Sequence, residues 1–256
     1  MIAASIDRAP VTEACDIAFG MKRITLMARE IAIQAKPGQF VMVGTASQGT
    51  ILRRPLGVSG VDREAGLIVL RFAVAGRGTA WLSERRPGDE LQISGPFGRG
   101  FTVGSGRHLL VGGGTGIAPL IFLKDEIDCS GGEAVMVAGA RDSACLMESD
   151  MLVTGCVIAT EDGSLGERGF VTGPVEKLMR DGKFDSVSAC GPVPMLKAVK
   201  DLAAKAGLPL EVSLESHMGC GTGACNGCTC KESEKDGRWA KVCKDGPVFP
   251  IGEVRL

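Results

Sequence analysis

The first part of the chain, up to about residue 100, consists of short apolar runs separated by turn signals. The apolar runs lie at residues 24–27, 39–43, 67–74 and 90–93. Turn sequences precede two of these runs, at residues 36–38 and 87–89. Short strands at this spacing, with a single helical candidate at residues 79–85, predict an antiparallel sandwich or barrel.

The second part of the chain, from about residue 107, alternates apolar runs with segments that fit helices. The apolar runs lie at residues 109–111, 134–138, 157–160, 187–190 and 210–214. The helical segments between them lie at residues 117–127, 171–179 and 195–206. This alternation predicts βαβ units and a doubly wound parallel sheet.

Beyond residue 215 the periodicity ends, and cysteine and glycine dominate the sequence. We therefore predict a third, small domain at the C-terminus. The resulting division is 1–102 for the β-barrel domain, 103–209 for the α/β domain and 210–256 for the small domain.

The composition narrows the possible functions. The 256 residues include 29 Lys and Arg against 30 Asp and Glu. The chain therefore lacks the excess of positive charge that would predict binding to nucleic acid or to an anionic membrane. The hydrophobic content of 45% is too high for a disordered chain. No apolar run reaches the roughly 18 residues that span a bilayer, and residues 1–10 lack the apolar core of a signal peptide. We expect a cytoplasmic protein whose cysteines stay reduced.

Half of the 10 cysteines crowd into one C-terminal segment. Cys220, Cys225 and Cys228 have the x4, x2 spacing of plant-type [2Fe-2S] sites, and Cys243 follows as a fourth ligand. The intervening glycines let the backbone fold closely around a cluster. The alternative is structural zinc, which usually shows paired C-x2-C knuckles. Cys230 is left over, because the spacing favours the other four.

A glycine loop opens the predicted α/β domain. The strand at residues 108–111 runs into Gly112 and then Gly113, Gly114, Thr115 and Gly116 before a helix. This geometry places a phosphate on a helix N-terminus, although a tight turn without a ligand has the same sequence. A second motif, at residues 190–192, ends a later parallel strand. Ligands of such sheets lie beyond the carboxyl ends of the strands, where both motifs fall.

The predicted barrel has two candidate sites of its own. Arg53 and Arg54 place cations beside a rigid turn, and residues 76–79 begin the helix of that half. The backbone of such a helix start suits a diphosphate. The alternative is an exposed arginine pair and an ordinary helix start. The sequence has only two histidines; we interpret His108 as structural, while His217 stays open between packing and tuning of a cluster.

Taken in order, these motifs resemble the ferredoxin-reductase-type flavoprotein family, in which a flavin-binding barrel precedes a nicotinamide-binding α/β domain. The cluster loop narrows the resemblance to the electron-transfer subunits of NAD-dependent bacterial dihydroorotate dehydrogenase. The most specific stretches are residues 214–225 and 241–249. The resemblance covers essentially the whole chain.

The resemblance implies three cofactors, FAD, a [2Fe-2S] cluster and NAD, together with the residues that contact each of them. For FAD these residues are Arg54, Pro55, Leu56, Gly57, Arg71, Phe72, Ala73, Gly78 and Thr79. For the nicotinamide nucleotide they are Gly113, Gly114, Thr115, Gly116, Asp162, Cys190, Gly191 and Pro192. For the cluster they are Cys220, Cys225, Cys228 and Cys243.

Two positions depart from the family pattern. The family usually has Ser or Thr where Gly57 stands, so a backbone group or Ser59 would have to supply the hydrogen bond to the flavin. The aromatic residue that many relatives stack on the flavin is also missing. Leu56 offers apolar packing in its place.

The resemblance also implies a function. An FMN-containing dihydroorotate dehydrogenase catalytic subunit, in a heterotetramer with two copies of each chain, would pass electrons through the cluster and FAD to NAD+ for pyrimidine (UMP) biosynthesis. A flavin must lie between the cluster and the nicotinamide, because the nicotinamide exchanges two electrons as hydride and the cluster takes one electron at a time. The sequence shows no site for an organic substrate and no catalytic residue. Two alternatives remain: a reductase subunit of a hydrogenase, sulfite reductase or ferredoxin:NADP+ oxidoreductase, and a zinc module on a nucleotide-sensing scaffold.

Overall fold

The computed structural model describes residues 4–45, 51–152, 154–231 and 239–256. Its first part is a closed six-stranded barrel in the order β1-β2-β5-β4-β3-β6, and every pair of neighbouring strands is antiparallel. The strands are β1 (Ala4–Ala18), β2 (Met21–Met27), β3 (Phe40–Val43), β4 (Arg54–Asp62), β5 (Leu67–Ala73) and β6 (Glu90–Phe97). The predicted antiparallel barrel is confirmed.

The barrel interior is filled by the period-2 pattern of its strands. In β5, Ile68, Leu70 and Phe72 are buried while the residues between them are partly exposed, as expected when alternate side chains face a core. Two short helices, α1 (Arg29–Gln34) and α2 (Arg77–Ser83), each bury apolar residues in the cluster that fills the barrel. Helix α1 was not predicted from the sequence, because six residues are too few to show a helical period.

The segment interpreted as a rigid turn beside the arginine pair is in fact the start of strand β4. Pro55 is tolerated there because β4 pairs only with β3 at that point, and its pairing with β5 begins at Val58. Proline lacks a backbone N–H and therefore fits a strand where one side has no ladder partner.

The second part is a seven-stranded sheet with order β10-β9-β8-β7-β11-β12-β15. All neighbours are parallel except β12 and β15. Its strands are β7 (Arg107–Gly113), β8 (Glu133–Ala140), β9 (Cys156–Thr160), β10 (Glu167–Arg168), β11 (Ser186–Cys190), β12 (Leu210–Ser213) and β15 (Val248–Pro250). Its helices are α3 (Ile117–Cys129), α4 (Ser149–Leu152), α5 (Thr172–Asp181) and α6 (Val193–Ala206). The strand order reverses between β7 and β11, which confirms the predicted doubly wound sheet and marks the place where such sheets bind ligands.

The C-terminal segment is tied to this sheet at both ends. Strands β12 and β15 pair with each other as its edge, and β13 (Thr229–Lys231) and β14 (Trp239–Lys241) form a separate hairpin-like pair between them. The segment 210–256 therefore shares strands with the sheet of the preceding segment. The division of the chain into three domains stays a prediction.

The barrel and the α/β part are packed directly on each other. Phe122 of α3 is 1% exposed and belongs to the apolar cluster that fills the barrel. The side chains of Arg63 and Glu126 add an ion pair across the same boundary at 2.6 Å. No helix in the described parts of the chain is long and apolar enough to cross a membrane.

Candidate functional site

A cavity of about 330 Å³ lies where the barrel, the glycine loop and the C-terminal segment meet. We call it the barrel cavity. Predicted site residues from distant parts of the sequence come together in its lining. They are Pro55, Leu56, Gly57, Arg71, Phe72, Ala73, Thr79, Thr115 and Cys190. A flavin ring needs such a largely apolar slot with a few polar groups at its edge, so the residues present fit the predicted FAD site.

Arg54 and Gly78 lie beside this cavity rather than in its lining. A Cβ atom on Gly78 would overlap the Arg54 guanidinium, so the glycine lets the arginine side chain lie flat against the start of α2. Next to it, the Thr79 hydroxyl accepts hydrogen bonds from the backbone N–H groups of Ala75 at 2.9 Å and Gly76 at 3.1 Å. The cation and this ordered turn form one rim of the cavity.

The two departures from the family pattern have structural answers. Ser59 does not replace the missing hydroxyl at Gly57, because it is fully buried and its Oγ donates to the carbonyl of Val69 at 3.0 Å. Two other residues that carry hydroxyl groups, Ser213 and Ser216, line the barrel cavity. Phe40 also lines the cavity, so an aromatic ring is present that sequence analysis had not assigned to the site.

Cys190 ends strand β11 at the bottom of the barrel cavity and is 2% exposed. Burial and, next, the negative charge of Glu215 raise the pKa of its thiol to about 12, against a smaller opposing effect of a hydrogen bond from Ser213. Glu215 is itself tied to the glycine loop, since Thr115 Oγ1 donates to its carboxylate at 3.4 Å. A protonated, buried thiol is a packing group and not a nucleophile.

A second site, the loop cavity, measures about 590 Å³ and lies at the carboxyl ends of β7, β8 and β9. The predicted residues Gly113, Gly114 and Pro192 line it. Gly116 and Gly191 line neither cavity; both pack the glycine loop against the end of β11, where a Cβ would overlap neighbouring atoms. The glycine loop therefore stands between the two cavities and forms part of the wall of each.

The structure does not bring Asp162 into either cavity. Its carboxylate accepts hydrogen bonds from Ser164 Oγ at 2.7 Å and Ser164 N at 2.9 Å, and these bonds lower its pKa. Asp162 therefore orders the turn after β9. Its neighbour Glu161 lines the loop cavity in its place.

The four predicted cluster ligands fall into two pairs. The backbone N–H of Cys225 donates to Cys220 Sγ, and that of Cys243 donates to Cys228 Sγ, both at 3.4 Å. Among the described residues, no three His, Cys, Asp or Glu side chains converge on one metal position. A [2Fe-2S] cluster takes two ligands on each of two irons, and the two pairs of thiols are compatible with that arrangement.

The loop also stabilises thiolate charge at its outer end. The backbone N–H of Cys225 and, next, the hydroxyl and N–H of Thr222 lower the pKa of Cys220 to about 5. Gly221 has φ +74°, and a Cβ there would overlap Met42 of the barrel, so this glycine lets the loop pass closely over the strand. N–H groups aimed at sulfur are the donors that tune such clusters.

Several residues at these sites were not predicted from the sequence. Ser213, Glu215, Ser216 and Met218 line the barrel cavity and lead directly into the cluster loop. Their signal was present, since most of them lie in the stretch that carries the family resemblance. His108 is structural, as interpreted: its Nδ1 lies 2.7 Å from Ser186 Oγ and its Nε2 lies 3.1 Å from the Gly104 carbonyl.

Fold and sites together define a ferredoxin-reductase-type flavoprotein with an added iron–sulfur segment. Residues 215–255 match the model of the iron–sulfur cluster binding domain of dihydroorotate dehydrogenase B. The chain is 40% identical over 240 residues to the dihydroorotate dehydrogenase B (NAD+) electron transfer subunit of Geobacillus thermodenitrificans, covering 91% of this chain and 92% of that one. It is 34% identical over 260 residues to the subunit of the same name from Fusobacterium nucleatum, covering 98% and 99%. The chain belongs to this family of electron transfer subunits.

A solved structure points to a related protein. An NADH-dependent reduced ferredoxin-NADP oxidoreductase, studied for flavin-based electron bifurcation, superposes with a TM-score of 0.86 at 32% identity, covering 98% of this chain and 90% of that one. The predicted family and fold class are confirmed by these relatives, and the predicted set of FAD, [2Fe-2S] cluster and NAD agrees with them.

Proposed function

We propose that this chain carries electrons from a dihydroorotate dehydrogenase catalytic subunit to NAD+, as an oxidoreductase subunit in pyrimidine biosynthesis. One observation carries the proposal: Thr115 of the glycine loop and residues 213–216 and 218 line the same barrel cavity. The glycine loop also walls the loop cavity, and residues 213–218 lead into the cluster loop. The barrel cavity therefore shares part of its lining with the glycine loop and part with the segment that leads to the cluster loop.

In this proposal the residues of the chain bind and orient the cofactors and do not themselves react. In this proposal Pro55, Leu56 and Gly57, with the backbone of residues 71–73, hold the flavin ring in the barrel cavity. Gly113, Gly114 and Pro192 hold the nicotinamide nucleotide in the loop cavity. A bound flavin exchanges hydride with nicotinamide and single electrons with an iron–sulfur cluster, which is the reason for its middle position. The thiol of Cys190 stays protonated beside it and excludes water.

The partner and its arrangement are part of the proposal. The relatives are named electron transfer subunits, which supports a separate subunit that holds the organic substrate. We propose that this partner contains FMN and that two copies of each chain assemble in the cytoplasm. The proposed domains remain 1–102 for FAD, 103–209 for NAD and 210–256 for the cluster, the last sharing strands β12 and β15 with the second.

Purification of the chain with its natural partners tests the proposal. We expect an FMN-containing dihydroorotate dehydrogenase subunit to co-purify, and we expect dihydroorotate to reduce NAD+ in that complex. Flavin and iron–sulfur absorption should bleach when NADH is added under anaerobic conditions. A colourless protein that contains zinc, or a complex that does not oxidise dihydroorotate, would contradict the proposal.

The second candidate is a reductase subunit of a ferredoxin:NADP+ oxidoreductase. It is favoured by the 0.86 TM-score and 32% identity to the NADH-dependent reduced ferredoxin-NADP oxidoreductase. The same purification separates the two, because this candidate requires a second flavoprotein that reacts with ferredoxin. Reduction of NADP+ by ferredoxin in the purified complex, without dihydroorotate activity, would establish it.

A further inference from the structure

Glu148 is a buried carboxylate that joins the two halves of the protein. It lies in the α/β part, between β8 and α4, and its side chain is 7% exposed. Two arginines of the barrel bind it: Arg23 Nη1 lies 2.6 Å from Oε1, and Arg71 Nη2 lies 2.8 Å from Oε2. Arg71 Nε donates to the same Oε2 at 3.0 Å. Both carboxylate oxygens are therefore used by the barrel.

Backbone hydrogen bonds bring the same segment against the β1–β2 hairpin. The N–H of Glu148 donates to the carbonyl of Ile17 at 3.0 Å, and the N–H of Phe19 donates to the carbonyl of Ala144 at 2.8 Å. We call residues 141–148 the clamp segment. Its two contacts with the hairpin lie on either side of the buried residues 146 and 147.

The clamp segment also forms a wall of the loop cavity. Arg141 and Cys145 line that cavity, and Met21, from the barrel hairpin to which the segment is bound, lines it too. The loop cavity is thus closed on one side by a contact between the two halves of the protein. The contact between the clamp segment and the hairpin therefore brings together three residues of this cavity's wall.

We propose that Glu148 is a positioning residue for the nicotinamide nucleotide. Its bonds to Arg23 and Arg71 hold the clamp segment against the barrel, so that Arg141 and Cys145 stand at a fixed distance from the glycine loop. This inference rests on the proposed function, which places the nucleotide in the loop cavity. Glu148 itself does not line that cavity, so its effect is exerted through the segment.

The test compares two ion pairs that both join the barrel to the α/β part. Glu148→Gln removes the charge that binds Arg23 and Arg71 while preserving the side-chain shape. Glu126→Gln breaks the Arg63–Glu126 pair, 2.6 Å long, which lies on α3 away from the clamp segment. Binding of NAD+ is titrated calorimetrically on the oxidised complex loaded with FAD and cluster, and the result is expressed per FAD.

We expect Glu148→Gln to weaken NAD+ binding about tenfold, within the usual range of coupling between sites. Its KM for NAD+ should rise in proportion while kcat at saturating NAD+ is retained, and Glu126→Gln should leave both unchanged. Equal weakening in the two variants would show a general effect of domain docking and overturn the inference. Unchanged binding in Glu148→Gln would also overturn it.

Two further observations keep the outcome clear. If Glu148→Gln does not fold, Arg23→Gln serves instead, because it removes one of the two arginine contacts at a side chain that is 29% exposed. We expect this variant to bind NAD+ severalfold more weakly. Unchanged binding would overturn the inference. If the unaltered complex does not bind NAD+, or if NAD+ does not protect Cys145 in the loop cavity from labelling, the proposed function fails instead. The two failures are therefore distinguishable.

Discussion

The backbone of Gly116 packs directly against the carbonyl group of Cys190, so closely that a Cβ at residue 116 would overlap it. This contact joins the glycine loop after β7 to the end of β11 at the point where the strand order reverses. Gly116→Ala must therefore displace backbone, and not merely a flexible side chain. We expect it to lower the free energy of unfolding by about 2 kcal/mol, as overpacking typically does. Urea denaturation followed by circular dichroism measures this.

The control for this prediction is Gly252→Ala. Nothing lies within 4 Å of a Cβ at Gly252, and its φ lies outside the left-handed range. We expect a change within about 0.5 kcal/mol there, as at an ordinary surface position. If the Gly116 variant were as stable as the Gly252 variant, the glycine loop and β11 could separate easily. That result would contradict the close packing of Gly116 on Cys190.

Cys225→Ser tests the assignment of the cluster ligands. Cys225 lies in the first pair of thiols, with its N–H on Cys220 Sγ. Because serine is a poor ligand for iron in such clusters, we expect the iron–sulfur absorption and about two irons per chain to be lost. FAD should stay bound, since none of the residues that the structure describes between 220 and 243 lines the barrel cavity.

Cys230→Ser is the matched control, in the same segment and outside the x4, x2 spacing. We expect this variant to retain both iron and absorption. Loss of the cluster in Cys230→Ser with retention in Cys225→Ser would exchange the roles of the two cysteines. Loss of FAD in Cys225→Ser would contradict the separation of the flavin and cluster sites.

The sequence predicted the parts of the fold in which one residue pattern dominates. The buried parallel strands are continuous apolar runs, and α3, α5 and α6 are long enough to show a helical period. Strand β1 was not predicted, because Arg8, Glu13 and Asp16 interrupt its apolar positions. Its 15 residues pair with the adjacent β2 and, over a long stretch, with β6, which is distant in the sequence. Long-range pairing of this kind leaves no local signal.

The site residues likewise divide into those that could be predicted from the sequence and those that could not. Glycine and cysteine positions such as Gly113 and Cys220 carry their chemistry in their spacing and could be predicted. Glu148 could not, because its partners Arg71 and Arg23 lie 77 and 125 residues away. The family resemblance placed Asp162 among the nicotinamide contacts, whereas its carboxylate accepts hydrogen bonds from Ser164 and lines neither cavity. Backbone position is thus more predictable than side-chain partnership.

The buried thiol of Cys190 should resist alkylation. Burial, with the charge of Glu215, raises its pKa from the ordinary 9.0 to about 12, so at pH 8 almost none of it is the reactive thiolate. We expect iodoacetamide at pH 8 to label the exposed Cys129 readily and to leave Cys190 unmodified, as measured by peptide mass spectrometry. The thiol has a higher pKa in the folded state than in the unfolded chain. Its contribution to the stability of the folded state is therefore complete below about pH 9 and is lost as the pH rises towards 12. Equal labelling of Cys129 and Cys190 would contradict the burial of this thiol.

The adjacent residues Arg53 and Arg54 should differ in their effect on FAD. The Arg54 guanidinium lies against Gly78 at the rim of the barrel cavity, whereas Arg53 Nη1 donates to Ser94 Oγ at 3.0 Å. A charged hydrogen bond to phosphate contributes about 1.5–3 kcal/mol, so we expect Arg54→Ala to weaken FAD binding at least tenfold. Arg53→Ala is the matched control and should retain FAD. Flavin fluorescence during reconstitution of the apoprotein measures both, and equal FAD affinities in the two variants would remove Arg54 from the site.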